Sequence, residues 1–139
     1  MGRTKFDVAV VGAGPVGCVT ALAFARKGAR VVMLEADPRA CRRFAGEWIH
    51  PAGVRVLDSL RAGRLDGASP RTGYGFVIVP DDGDGPIEMH YENGVAIAAE
   101  HGDIVEQLRV AALSDPNVEL RSNVRVVGLD GHVVRTEER

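Results

Sequence analysis

An α/β fold, with a parallel strand–helix–strand core and an inserted antiparallel ribbon, is what this 139-residue sequence predicts. Three observations predict it. Two short apolar runs, Phe6–Val11 and Arg30–Leu34, flank a glycine-rich turn and a stretch with helical spacing. Runs this short, β-branched and continuously apolar suit parallel strands covered on both faces. Further along, Tyr74–Val79 and Ile87–Tyr91 bracket the turn-rich segment DDGDGP, the pattern of an antiparallel ribbon. Composition agrees, since 45% hydrophobic and 26% charged residues belong to an ordinary globular chain. At this length folding hides about two-thirds of the unfolded surface, enough for a core without disulfide or metal staples, so one domain over residues 1–139 is expected.

Each element has its own signal. Pro15 can occupy a first helical turn, where its missing N–H costs nothing, and Val16–Arg26 continue with helical spacing until Gly28. Two buried strands joined by a helix of this length form a right-handed βαβ crossover. After Glu35 comes a basic stretch, Asp37–Arg43, and then Gly46-Glu47-Trp48, which reads as a turn. A helix follows over Ala52–Ala62, with Val54, Leu57 and Leu60 on one face. Beyond the ribbon, Val95–Ala98 predicts a strand and Asp103–Leu113 a helix, ended by Asp115-Pro116-Asn117. Val118–Leu120 and Val124–Leu129 read as strands, and Asp130-Gly131 as a hairpin turn into His132–Val134.

Several function classes are disfavoured. Lys+Arg 17 against Asp+Glu 19 gives a net charge of -2, without the basic footprint of a nucleic-acid binder. Cys18 and Cys41 have neither a disulfide framework nor zinc spacing, and His50, His90, His101 and His132 share no ligand spacing, so no metal site is expected. No serine lies in a nucleophile-elbow context. Asp7 and the glycines after it break any signal-like apolar segment, and no run has the length of a membrane span, so a cytoplasmic location is expected.

Gly12-Ala13-Gly14-Pro15-Val16-Gly17 is G-x-G-x-x-G between a strand and a helix, the context that the dinucleotide fingerprint requires. In that role Gly12 permits the tight turn, Gly14 admits a pyrophosphate to the backbone, and Gly17 lets helix and strand approach closely. The helix N-terminus offers N–H groups and partial positive charge to the phosphates. Glu35 ends the second strand, where a carboxylate accepts from ribose hydroxyls and repels a 2′-phosphate. The cofactor half-site therefore fits FAD or NAD better than NADP, and these residues alone do not separate the first two.

The run from Arg43 to Gly53, RFAGEWIHPAG, resembles the R-x-x-G-E-x-x-x-P-x-G signature of squalene-epoxidase-like enzymes within the group A flavoprotein monooxygenases. Gly73-Tyr74 before an apolar strand is similar to the family's next strand. His101-Gly102-Asp103 through Leu108-Arg109, Ala111-Ala112-Leu113, Pro116-Asn117-Val118 and Val124 is similar to the segment that closes its nucleotide site. The resemblance implies a Rossmann-like FAD/NAD(P)-binding βαβ core. It gives Glu35 the adenosine ribose, Arg43 and Arg109 the pyrophosphate and ribityl region, and the backbone of Val124 the adenine edge. One departure is His50, where the family carries an amide side chain.

The resemblance further implies FAD as cofactor, NAD(P)H as co-substrate, and O₂-dependent oxygen insertion into a small apolar or aromatic substrate. Halogenation depends, in the related family, on a lysine beyond the first βαβ unit, and Lys5 and Lys27 are the only lysines here. The family's later Asp-Gly and Gly-Asp segments and its substrate domain are not present, so the fold is expected to be incomplete. The alternative is a truncated or split adenine-nucleotide module, inactive until a partner chain or self-association completes it. An NAD-dependent dehydrogenase fragment is disfavoured by an antiparallel ribbon where a third parallel strand would come.

Overall fold

A computed structural model describes residues 5–42, 45–63, 65 and 71–138. β1 (Val8–Val11) leads through the glycine turn into α1 (Pro15–Ala25), and β2 (Val31–Glu35) returns beside β1. The two strands are parallel, with Val8 opposite Val31 and Val11 opposite Leu34. A 3-10 turn over Pro38–Arg42 follows, then β3 (Gly46–Ile49), α2 (Pro51–Ser59), β4 (Arg71–Gly73), β5 (Gly75–Ile78), β6 (Ile87–His90) and β7 (Ala96–Glu100). The chain continues with α3 (His101–Leu113), β8 (Val118–Ser122), β9 (Val124–Asp130) and β10 (Val133–Glu138).

β8 lies parallel to β2 on the side away from β1, giving the order β1-β2-β8 with Glu35 opposite Ser122. A third parallel strand, which the antiparallel ribbon argues against, is thus present, but the chain reaches it only after the excursion between β2 and β8. That excursion forms a second sheet, β3-β7-β4, and the separate ribbon β5-β6; β9 and β10 close as a hairpin around Gly131.

Gly46-Glu47-Trp48 is a strand and not the turn its glycine suggests. It pairs antiparallel with β7, Gly46 opposite Glu100 and Ile49 opposite Ile97, so its conformation is imposed by a partner about 50 residues away. Arg71–Gly73 is a further strand on the other side of β7, too short and polar to show a period of its own.

Both main helices serve the same core. Cys18, Ala21, Leu22 and Ala25 recur at helical spacing and are buried, as are Ile104, Val105, Leu108 and Ala112 of α3. All of these but Val105 share one cluster with Val10, Val31, Met33 and Val118 of the parallel sheet. Full burial of a side chain such as Leu22, Met33 or Ile104 is worth about 1.5–3 kcal/mol each. Leu57 of α2 and Leu65 join the same cluster, which ties the antiparallel excursion to the βαβ core. Among the described residues no helix is long and apolar enough to cross a membrane.

Candidate functional site

At the C-terminal ends of β1 and β2 the chain forms a small polar centre. Gly12 turns with φ +94°, and its N–H donates to the Leu34 carbonyl at 2.8 Å, which fixes the turn against β2. Gly14 is the extended residue before α1, and no side chain caps that helix. A Cβ at Gly12 or Gly14 would meet nothing within 4 Å, so the space before the helix N-terminus is open. Gly17 is the opposite case. A Cβ there would run into the Gly12 carbonyl and lie 3.5 Å from Val10 Cγ1. The three glycines thus differ in setting: Gly12 turns at positive φ, Gly14 borders open space, and Gly17 sits where a Cβ would not fit against the Gly12 carbonyl.

Glu35 reaches from the end of β2 to this turn. Its Oε2 accepts from the Ala13 N–H at 2.8 Å and its Oε1 from the Asp37 N–H at 2.8 Å. A carboxylate has about four acceptor positions, so roughly two remain for a further donor. The side chain is only 12% exposed, which restrains its rotamer before any ligand arrives. Open space at Gly14, an uncapped helix terminus and a fixed carboxylate with spare acceptors fit the ADP half of FAD.

Arg109 comes to the same centre from α3. Its Nε donates to the Ala13 carbonyl at 2.8 Å, its Nη1 to the Pro38 carbonyl at 3.3 Å, and its Nη2 lies 3.7 Å from Glu35 Oε2. With 16% of the side chain exposed, it is not the solvated helical arginine that pairing with Asp103 or Glu106 would make it. Its guanidinium fork braces the glycine turn against the segment after β2, a geometry that lysine cannot supply.

Cys18, on the first turns of α1, is buried beneath this centre with its thiol 3.5 Å from the Ala13 carbonyl. Burial pushes its pKa up to about 11, against the opposing pull of Arg109, with Glu35 adding to the rise. It is a packing residue and a poor nucleophile.

Val124 starts β9 two residues beyond Ser122, the register partner of Glu35, and Asn123 between them takes φ +61°. Gly12, Gly14, Gly17, Glu35, Arg109 and Val124 thus gather at one end of the parallel sheet. Arg43 lies outside the described residues.

Sequence reasoning missed several contacts. The backbone of Ala13, a variable position of the fingerprint, is the hub for both Glu35 and Arg109. Glu47 pairs with His101, Oε1 to Nδ1 2.6 Å, and both residues stood in segments already marked by the resemblance. Trp48, His50, Phe76 and Tyr91 form a separate aromatic group, in which Trp48 Nε1 donates to the Tyr91 hydroxyl at 2.9 Å and that hydroxyl lies 2.8 Å from His50 Nδ1.

Residues 5–130 match the family model of an FAD binding domain. The chain belongs to that family. It is an FAD-binding domain of the kind found in flavin-dependent monooxygenases, and its cofactor is FAD. It is 30% identical over 128 residues to squalene monooxygenase of Mus musculus, an alignment covering 87% of this chain and 22% of the relative. Squalene epoxidase erg1 of Aspergillus fumigatus is 32% identical over 120 residues, covering 82% of this chain and 25% of that one. The fold is also that of p-nitrophenol 4-monooxygenase PnpA from Pseudomonas putida DLL-E4, with TM-score 0.74 at 24% identity, over 94% of this chain and 35% of the other. The chain thus spans about a quarter of the length of the curated relatives it matches.

Proposed function

We propose that this chain forms the ADP-binding part of the FAD site in a monooxygenase of the squalene-epoxidase kind. In the working enzyme NAD(P)H and O₂ would be consumed and one oxygen atom inserted into a small apolar or aromatic substrate. The observation that carries this reading is the Ala13–Glu35–Arg109 centre, which rigidly holds a ribose acceptor beside an open helix N-terminus. FAD supplies the redox chemistry when bound, and this chain's own residues bind it, orient it and keep water from its ADP half. Glu35 holds the ribose, Gly12 and Gly14 admit the pyrophosphate, Arg109 fixes the turn, Arg43 adds positive charge along the phosphates, and the Val124 backbone meets the adenine edge.

One observation favours a second reading, a nucleotide module that needs a partner chain before it is active. The β5-β6 ribbon leaves Phe76, Ile78, Ile87 and Met89 on one face, each 42–53% exposed. The visible spectrum of the purified chain after FAD reconstitution separates the readings. Flavin absorbance with substrate-dependent NAD(P)H consumption supports the enzyme, and flavin absorbance without turnover supports the module. A protein that takes up no FAD refutes both. In FAD titrations Glu35→Ala and Arg43→Ala are expected to weaken binding about tenfold or more, about 1.4 kcal/mol, while Arg55→Ala on the exposed side of α2 is neutral. Equal affinities for all three variants remove the proposed roles.

A further inference from the structure

The family signature contains a glutamate, Glu47, to which the cofactor site just described gives no task. It does not reach the glycine turn; its carboxylate meets the first residue of α3. His101 Nδ1 and Glu47 Oε1 are 2.6 Å apart across 54 residues of sequence, with the two side chains 20% and 40% exposed. An ionised carboxylate has no proton to give, so Nδ1 carries the proton and donates. The His101 backbone N–H adds a second link, donating to the Ala45 carbonyl at 2.9 Å. The start of α3 is therefore fastened to the start of β3 by one backbone and one side-chain hydrogen bond.

Eight residues further along α3 stands Arg109, whose donors go to the Ala13 and Pro38 carbonyls. One helix thus holds both ends of the segment from Pro38 to Ala45, Arg109 at its beginning and His101 at its end. Arg39 and Arg42 lie in this segment, and the glycine turn hangs from the same helix through Ala13. A shift of α3 at His101 is transmitted along a rigid helix to Arg109, and from there to the turn where the pyrophosphate binds.

Resting on the FAD-site reading above, we propose that His101 and Glu47 are positioning residues for phosphate recognition. Neither touches the cofactor; the pair sets where α3 sits, and α3 sets the glycine turn and the arginine-bearing segment. This assigns the signature glutamate a partner and a purpose within this chain.

The proposal predicts a selective loss. The full chain, His101→Ala, Glu47→Ala, the double variant and His101→Asn are titrated with FAD, ADP and adenosine, the last followed by ligand-observed NMR. FAD and ADP are expected to bind about tenfold more weakly to each alanine variant, with the double variant no worse than the singles because one interaction is lost in all three. Adenosine, which has no phosphates, should change by less than about twofold, and His101→Asn, whose amide N–H can replace Nδ1–H, should stay within about threefold of the parent for ADP. Should the alanine variants melt below the assay temperature, Glu47→Gln carries the test, with an expected ADP loss of about threefold. Unchanged ADP affinity in the folded variants overturns the proposal, as does an adenosine loss equal to that of ADP, which marks a general loosening. A parent chain that binds neither FAD nor ADP overturns the FAD-site reading itself and this inference with it.

Discussion

Gly17→Ala tests the packing at the nucleotide turn most directly, because two opposed effects act at one atom. Alanine in a helix is favoured over glycine by about 1 kcal/mol. Against this, the new methyl runs into the Gly12 carbonyl, and that oxygen belongs to a turn already fixed by the Gly12 N–H to Leu34 carbonyl bond. A backbone atom cannot rotate aside as a flexible side chain can, so helix and turn must separate, at an overpacking cost of about 1–3 kcal/mol. The net expectation is a loss of up to about 2 kcal/mol, a fall in Tm of a few to about 10 °C for a chain of this size. Because the part that moves is the turn proposed to hold the pyrophosphate, FAD affinity should fall at least tenfold, about 1.4 kcal/mol. Gly14→Ala is the companion variant. Its Cβ meets nothing within 4 Å and its φ of -78° suits alanine, so the stability cost is limited to alanine's poorer fit at an N-cap, about 1 kcal/mol or less and no more than about 5 °C in Tm, while FAD affinity again drops by about tenfold or more. Thermal melts and FAD titrations of both variants check this. A Gly17→Ala protein as stable and as tight-binding as the parent would refute the close-approach argument, and undiminished FAD binding by Gly14→Ala would refute the location of the phosphates.

Arg109→Lys keeps the charge but loses the fork that spans the Ala13 and Pro38 carbonyls, so urea melts should show a loss of about 1–2 kcal/mol and FAD should bind several-fold more weakly; parent-like values in both would mean that charge alone suffices. Cys18 predicts an alkaline effect. Its pKa is pushed up from 9.0 to about 11 by burial, so the unfolded chain gives up this proton first and binds fewer protons than the folded one between those values. Its contribution is therefore constant below about pH 9 and stability falls as pH rises towards 11, by up to about 3 kcal/mol. Melts at pH 8 to 10.5 should show a shallower decline for Cys18→Ala than for the parent, and parallel declines would remove the assignment.

What the sequence made legible and what it hid follow the range of the interactions. β1, α1 and β2 were readable because each carries its own periodicity and the fingerprint glycines do local work, visible in φ at Gly12 and in the contact at Gly17. Glu35 was readable for the same reason, since its position at a strand end fixes its direction. β3 was hidden because a glycine and a following proline outweigh four residues of weak strand propensity until β7 pairs with them. The burial of Arg109 was equally invisible, since Asp103 and Glu106 nearby offer ordinary surface partners and its observed ones are 71 and 96 residues away.

The return of β8 to β2 changes which feature argues against a nicotinamide-dependent dehydrogenase fragment. A missing third parallel strand is not that feature, because Val118–Ser122 pairs with all five residues of β2. The informative feature is what residues 36–117 do before that strand is reached. They leave the βαβ layer, build an antiparallel sheet and ribbon, and come back through α3, the helix that also packs on α1. A simple crossover would need only a helix and two short loops, about 12 residues or somewhat more. The longer route places Glu47 and the arginine-bearing turn within reach of α3, and α3 places Arg109 against Ala13 and Glu35. If the proposed coupling holds, the antiparallel excursion and the nucleotide site act as one unit, and a substitution in β3 such as Glu47→Ala is expected to weaken phosphate binding even though it lies on a different sheet.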